Sequence, residues 1–283
     1  VCTGSDPARH QRLIDTLSGV ATFPVSGEPT MEVVRAGAQA AREHGADVVV
    51  GLAGRSVDCR YSARNRALIV QSRVDSTRAL AAAIAAAARP PRVWLQASTA
   101  TIYAHHTGGP NDAANDETNG VLGGDEPGAP DTWRFSIDVA KQWEAAAFAL
   151  ALPKTRTVLL RSAMVMSPEA GGVFDVLLRL TRFWLGGTCG DGRQYVSWVH
   201  GDDFAKALEF LVDHDELAGP VNVASPGPLP QAEFARALRQ AWGRECHEQV
   251  GLEEWDRSSS WHSAGSGRAC VAGGRSCSRI GEK

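Results

Sequence analysis

The sequence lacks long hydrophobic runs, a strong excess of one charge, and cysteine pairs with metal-binding spacing. No apolar stretch approaches the roughly 20 residues that a membrane-spanning helix needs, which argues against a membrane protein. The formal net charge is only −3, so no broad basic surface is expected to bind nucleic acid. Six cysteines occur without a Cys-x-x-Cys pair, which predicts reduced thiols with no catalytic or metal-binding task. We therefore expect a cytoplasmic protein that binds a small-molecule substrate, with the oligomeric state left open.

Between about Asp47 and Gly243, short apolar runs rich in β-branched residues alternate with helical patterns. This alternation predicts an α/β fold, with a Rossmann-like, doubly wound and mostly parallel sheet that carries helices on both faces. The predicted strands cover residues 47–52, 93–97, 156–165 and 221–223. The predicted helices cover residues 64–88, 135–150, 202–212 and 231–242.

The two ends of the chain differ from this middle zone. Residues 1–46 show a helix, strand and helix pattern, and the second helix is predicted to end at Gly45 in a left-handed cap. Residues 244–283 are rich in Ser, Gly, Arg and Cys without helix or strand periodicity, so we expect an irregular tail there. We therefore predict one nucleotide-binding domain over 1–243, with its substrate-side elements in 166–243.

Six blocks of the middle zone carry a family resemblance. They are DVVVGLAGRSVDCRY from Asp47, SRVDSTRAL from Ser72, ASTATIY from Ala97, FSIDVAKQWEAAA from Phe135, LRSAMVMSP from Leu160 and RQYVSWVHGDDFAKAL from Arg193. In this order, they resemble the epimerase-family, extended-type branch of the short-chain dehydrogenase/reductases. The resemblance implies a Rossmann-type fold that binds NADP or NAD and moves a hydride to or from a small carbonyl or sugar-like substrate.

The resemblance also implies a set of site residues near the ends of the strands. Small residues that follow a strand let the backbone approach a nucleotide closely, and strand-end hydroxyls meet its ribose or nicotinamide. The implied cofactor contacts are Leu52, Ala53, Gly54, Arg73, Ser98 and Met164. The predicted catalytic residues are Ser98, Tyr103 and Lys141, and the predicted substrate wall contains Arg193, Trp198 and His200. The same residues also suit ordinary turns and helix caps, and Asp202 is favoured as a helix N-cap.

Two features that this family normally has are missing from the sequence. No strand is followed by Gly-Gly-x-Gly-x-x-Gly, whose amides and helix dipole hold the pyrophosphate; Gly51 and Gly54 supply only half of that motif. The usual Tyr-x-x-x-Lys pair is also broken, because Ile137 stands four residues before Lys141 and cannot transfer a proton. We therefore expect impaired cofactor binding, with Tyr103 as the substitute acid.

The first 54 or so residues resemble a different family. The string PTMEVVRAGAQAAREHGADVVVG is similar to the amino-terminal domain of iron-dependent alcohol dehydrogenases and maleylacetate reductases. This second resemblance makes the chain look chimeric, with a seam near residues 51–56. The helical metal-binding domain of that family has no counterpart in the sequence, so we expect no metal, although His105, His106 and His200 occur.

Three functions stay open on these observations. The favoured one is an NAD(P)-dependent oxidoreductase or epimerase-like protein. The second is a non-catalytic scaffold or gene-fusion remnant, which the missing glycine loop, the broken Tyr-x-x-x-Lys pair and the unusual tail favour. The third is a reductase of the maleylacetate reductase type, which would require stoichiometric iron or zinc.

Overall fold

A computed structural model describes residues 2–3, 23–24, 31–104, 115–127, 129–167 and 172–242. The strands are β1 (Cys2–Thr3), β2 (Phe23–Pro24), β3 (Val48–Gly51), β4 (Val93–Thr99), β5 (Arg156–Ser162), β6 (Met164–Met166), β7 (Tyr195–Val196), β8 (Trp198–His200), β9 (Gly219–Val223) and β10 (Leu229–Pro230). The helices are α1 (Met31–His44), α2 (Ala63–Ala85), α3 (Asp131–Ala147), α4 (Val173–Arg182), α5 (Gly201–Asp213) and α6 (Gln231–Ala241).

Four parallel strands form the central sheet, in the order β3-β4-β5-β9. The longest pairing joins β4 to β5, from Val93 opposite Arg156 to Thr99 opposite Ser162. Parallel sheets are covered on both faces, so their strands are continuous apolar runs, and the first three residues of β4 are fully buried. β1 and β2 form a separate parallel pair.

The core consists of two layers, one on each face of the sheet. On one face, Leu208 of α5 packs with Leu160 and other strand residues. On the opposite face, α1, α2 and α3 cover the sheet, where Ile84 packs with Trp94 and Leu159. Burial of each such side chain contributes roughly 1.5–3 kcal/mol. Helices on both faces of a parallel sheet confirm the predicted Rossmann-like, doubly wound fold.

The predicted elements of the middle zone are present, with changes at their ends. The helix predicted over 135–150 begins earlier, at Asp131, directly after a proline. The strand predicted over 156–165 is divided in two, because from Met164 onward the chain leaves the central sheet and pairs with β8. Gly45 ends α1 with a φ of 67°, as predicted.

The N-terminus of α5 corrects one sequence prediction. The sequence favours Asp202 as the N-cap, but His200 caps this helix, and its ring Nδ1 accepts a hydrogen bond from the Asp202 amide at 3.2 Å. Asp202 lies instead in the first turn, where a negative charge suits the positive end of the helix dipole.

Within the described ranges, no helix is both long enough and apolar enough to cross a membrane. The same ranges contain no group of three or more His, Cys, Asp or Glu side chains that could hold a metal ion. His105, His106 and the predicted tail at 244–283 lie outside the described residues.

Candidate functional site

A cleft of about 280 Å³ opens beside the carboxyl ends of the sheet strands. In open α/β sheets, ligands bind at this edge. β4 contributes Thr99 to the cleft, β5 contributes Ser162 and β6 contributes Met164. Two helices complete the walls, with Arg73 from α2 and Trp143 from α3.

The lining of the cleft combines hydroxyl groups with apolar side chains. The hydroxyls belong to Tyr61, Thr99, Thr101, Ser136, Ser162 and Ser197. The larger apolar side chains are Ile69, Phe135, Val139, Trp143 and Met164. Such a mixture suits a flat ring that carries polar substituents, because apolar walls exclude water while a few polar groups set the orientation.

Arg73 supplies a positive charge to the wall of this cleft. Its Nη1 donates to the carbonyl oxygens of Arg55 at 3.1 Å and Ile69 at 3.2 Å. Its guanidinium carbon lies 5.1 Å from the ring centroid of Trp143. Burial lowers the pKa of Arg73, and attraction to Tyr61 opposes that shift. A phosphate or carboxylate that entered the cleft would meet this cation.

The loop after β3 is held against α2 and Arg73. The amide of Arg55 donates to the Ser72 hydroxyl at 3.1 Å. A Cβ on Gly54 would lie 3.3 Å from the guanidinium carbon of Arg73, so a glycine here lets the loop pack tightly on the cation. Leu52 packs instead on the core cluster between the sheet and α5.

A buried polar network joins the penultimate residues of three sheet strands. Ser98, Arg161 and Asn222 are register neighbours on β4, β5 and β9. Arg161 forms a bidentate pair with Glu144 of α3, at 2.9 Å from Nε to Oε1 and 2.8 Å from Nη2 to Oε2. The Ser98 hydroxyl donates to the same carboxylate at 2.6 Å. Bidentate charge-assisted bonds of this kind fix both partners in place.

Tyr103 completes this network from the turn that follows β4. Its hydroxyl accepts a hydrogen bond from Arg161 Nη1 at 2.9 Å and donates one to Asn222 Oδ1 at 2.8 Å. Burial raises the pKa of Tyr103 above its ordinary value, although the bond from Arg161 opposes the shift. The backbone N–H of Asn222 donates to Glu117 Oε1 at 2.6 Å, which ties the network to the segment before α3.

The structure brings together some of the predicted cofactor and catalytic residues and separates others. Arg73 and Met164 both line the cleft. Ser98 and Tyr103 lie in the buried network, each 5% exposed, and do not belong to the cleft lining. Lys141 lies on the side of α3 that faces the segment before it, apart from the cleft-lining residues of that helix.

The predicted substrate residues lie outside this cleft. The side chain of Arg193 is 76% exposed and pairs with Asp191 at 2.8 Å. Trp198 donates its indole N–H to the Gly227 carbonyl at 3.2 Å. His200 caps α5. None of the three contributes to the lining within the described part of the chain.

The lining also contains residues that the sequence did not indicate. Tyr61, Ser162 and Ser197 are the clearest cases. Side chains alternate between the two faces of a strand, so once Ser98 points into the network, its neighbour Thr99 faces the other way. The alternation can be read from the sequence. Which of the two sets of side chains lines the cleft can be decided only once it is known which face of the strand is buried.

The chain matches the model of the NAD dependent epimerase/dehydratase family over residues 32–224. It is 33% identical over 199 residues to an epimerase family protein of Mycobacterium leprae, covering 70% of this chain and 59% of that protein. It is also 33% identical over 202 residues to the epimerase family protein SDR39U1 of Mus musculus, covering 70% and 64%. The chain thus spans about six tenths of the length of these curated relatives.

Solved structures give the same likeness. The crystal structure of human epimerase family protein SDR39U1 with NADPH matches with a TM-score of 0.67 at 28% identity, covering 86% of this chain and 80% of that chain. A dTDP-4-dehydrorhamnose reductase from Clostridium acetobutylicum matches with a TM-score of 0.68 and 15% identity, over 94% of this chain and 88% of that chain, and supports the fold alone. The family match begins at residue 32, within the segment that resembles iron-dependent alcohol dehydrogenases, and that second resemblance stays an expectation.

Proposed function

The chain belongs to the NAD dependent epimerase/dehydratase family, and on that premise we propose that it is an NAD(P)-dependent oxidoreductase or epimerase-like protein. Its substrate would be a small carbonyl or sugar-like molecule. The cleft at the strand ends carries this proposal, since it places Thr99, Ser162 and Met164 in one lining. The human relative that is crystallised with NADPH supports NADP or NAD as the cofactor.

The cleft suits the nicotinamide end of such a cofactor. Trp143 and Met164 offer apolar surface to a flat ring, and the hydroxyls of Thr99 and Ser162 suit its amide or ribose. The volume of about 280 Å³ is slightly below the range of roughly 300–1,000 Å³ that accommodates drug-sized ligands. It therefore fits one end of a dinucleotide with a small substrate rather than the whole cofactor. Once bound, the nicotinamide would supply or accept the hydride.

The pyrophosphate is the part of the cofactor for which the given sequence offers the fewest binding groups. The given sequence has no glycine-rich phosphate loop. Gly54 follows a strand, but its missing side chain allows close packing against Arg73. Each charge-assisted hydrogen bond that is lost costs about 1.5–3 kcal/mol, so several together weaken binding by orders of magnitude. Arg73 would replace only part of that contribution. We therefore propose a reduced cofactor affinity.

Ser98, Tyr103 and Lys141 are the catalytic residues that the family resemblance predicts. The hydrogen bonds of Ser98 and Tyr103 favour a positioning role for these two, because their hydroxyls bind Glu144, Arg161 and Asn222 inside the core. For Lys141, the Nζ lies about 3.5 Å from where a Cβ on Gly124 would stand. That position suits a contact with a ligand lying along the segment before α3.

A non-catalytic scaffold is the alternative that the structure favours next. Ile137 occupies the place of the usual tyrosine and is only 4% exposed, so it serves the packing of α3. The maleylacetate reductase alternative requires a bound metal, and elemental analysis of the purified protein for iron and zinc tests it. Stoichiometric metal would favour that alternative over the cleft chemistry.

Calorimetric titration of the full chain with NADPH and with NADH tests the proposed function. We expect saturable binding of one cofactor, with a Kd between about 10 µM and 1 mM because the phosphate loop is missing. If no heat of binding appears up to about 5 mM of either cofactor, the scaffold alternative is correct. The related protein crystallised with NADPH provides a positive control for the assay.

A further inference from the structure

We propose that Tyr61 is the proton donor of the reaction carried out in the cleft, an assignment that rests on the proposed function. The sequence contains three tyrosines, and the structure gives each a different place. Tyr103 is bound inside the buried network, and Tyr195 lies on β7 without joining the described cleft lining. Tyr61 is the one whose side chain lines the cleft.

The ring of Tyr61 is held in place by neighbours at the start of α2 and α3. It meets the ring of Phe135 edge-on, with centroids 5.5 Å apart and an angle of 73° between the planes. The Arg66 guanidinium lies 4.8 Å from the Phe135 centroid and 5.9 Å from that of Tyr61, and it is anchored by an ion pair with Asp131. No described residue accepts a hydrogen bond from the Tyr61 hydroxyl. The ring is thus positioned by its face and edge, while its hydroxyl has no acceptor among the described residues.

The positive charge of Arg73 in the cleft wall favours a proton donor at Tyr61. Arg73 lies in the same lining and places a positive charge in the wall of the cleft. A cation beside a phenol stabilises the phenolate that remains after the proton has left. The other hydroxyls of the lining, on Thr99, Thr101, Ser136, Ser162 and Ser197, are alcohols and therefore much weaker acids than a phenol. Tyr61 and Arg73 together supply an acid and its counter-charge.

In a reduction, a bound and reduced nicotinamide would supply a hydride to the carbonyl carbon of the substrate, which forms the new C–H bond, and the nicotinamide would itself become oxidised. The electron pair of the C=O π bond moves to the oxygen, which takes the proton from the Tyr61 hydroxyl and becomes an alcohol. The Tyr61 phenolate then recovers a proton from water. In the oxidation direction, the phenolate accepts the proton of the substrate alcohol.

Turnover of Tyr61→Phe tests this assignment, with Tyr195→Phe as a matched control that removes the same hydroxyl elsewhere. The full chain is assayed by NADPH consumption with 9,10-phenanthrenequinone and with glyceraldehyde as carbonyl probes. We expect kcat to fall by about 10²-fold or more in Tyr61→Phe, since general acid catalysis contributes roughly 10²–10⁴-fold. The Kd for NADPH should change less than about 3-fold, and Tyr195→Phe should match the wild type.

A second variant separates acid chemistry from packing. Tyr61→His keeps a planar ring with a transferable proton, and it should regain part of the lost turnover with a pH optimum shifted downward, because histidine titrates near about pH 6.5. If Tyr61→Phe binds NADPH and turns over like the wild type, the assignment is wrong while the proposed function stands. If the wild type fails to bind NADPH, or binds it and reduces neither probe, the proposed function fails and the assignment falls with it.

Discussion

At the residue scale, two adjacent side chains at the end of β4 face different surroundings. Ser98 donates to Glu144 inside the core, whereas Thr99 lines the cleft. The same alternation separates Ser197, which lines the cleft, from Trp198, which bonds to Gly227. Period-two geometry thus divides the strand ends between a structural network and a ligand surface.

The network predicts a large stability difference between two arginines. Arg161→Ala removes the partner of the buried Glu144 carboxylate, and breaking such a buried pair costs about 3–5 kcal/mol of unfolding free energy. Arg193→Ala removes an exposed pair with Asp191, which is worth less than about 1 kcal/mol. Urea denaturation of both variants measures the difference, and equal midpoints would show that the network contributes no special stability.

Tyr103 predicts a stability effect at alkaline pH. Its folded-state pKa is raised, so its contribution is fully present below the unfolded pKa of about 10 and is lost as pH rises toward the folded value. Tyr103→Phe lacks this titration and also loses bonds to Arg161 and Asn222, at about 1–3 kcal/mol. We expect the gap in unfolding free energy between wild type and variant to shrink from pH 9 to about pH 11. A gap that stays constant would rule out the shift.

The sequence predicts residue type better than residue placement. Arg73 and Met164 were expected near the cofactor and do line the cleft, because each stands on an element whose local pattern is clear. Ser98 and Tyr103 stay predicted reaction-centre residues, and the structure shows that both hydroxyls bond within the buried network. The direction in which these two side chains point depends on Arg161. This residue is distant in sequence, and its strand pairs with β4 only in the folded sheet. No local pattern carries that information.

At the element scale, local signals determine where helices and buried strands occur. The cap of α1 is an example, since Gly45 was predicted from its place after the last helical residue and adopts a φ of 67°. The division between β5 and β6 was not predictable in the same way. Met164 leaves the sheet because its strand pairs with β8, about 35 residues later, and such a partner is invisible to a local window.

The cap of α1 gives a prediction for this element. Gly45→Ala places a Cβ on a left-handed residue and against the Arg89 side chain, so it should lower the unfolding free energy by about 1–2 kcal/mol. Gly227→Ala is the matched control, because a Cβ there has no heavy atom within 4 Å, and its effect should stay within about 0.5 kcal/mol. Thermal unfolding compares the two, and equal losses would contradict a conformational role for Gly45.

At the scale of the whole molecule, the described domain retains the sheet edge at which its family binds a dinucleotide. The central sheet, its two core layers and the strand-end cleft are all present. The chain spans about six tenths of the length of its curated relatives, and it has no glycine-rich phosphate loop. From the cleft, we expect the described domain to hold the reacting end of a cofactor at the carboxyl ends of its strands.

A crystal structure of the full chain with saturating NADPH tests this expectation most directly. The nicotinamide ring is predicted to lie in the cleft, within about 4 Å of Met164 and with a hydrogen bond from Thr99 or Ser162. Arg73 is expected to be the nearest cation to the cofactor within the cleft wall. Cofactor density at another surface, with the cleft holding only solvent, would contradict the assignment of this strand edge as the binding site.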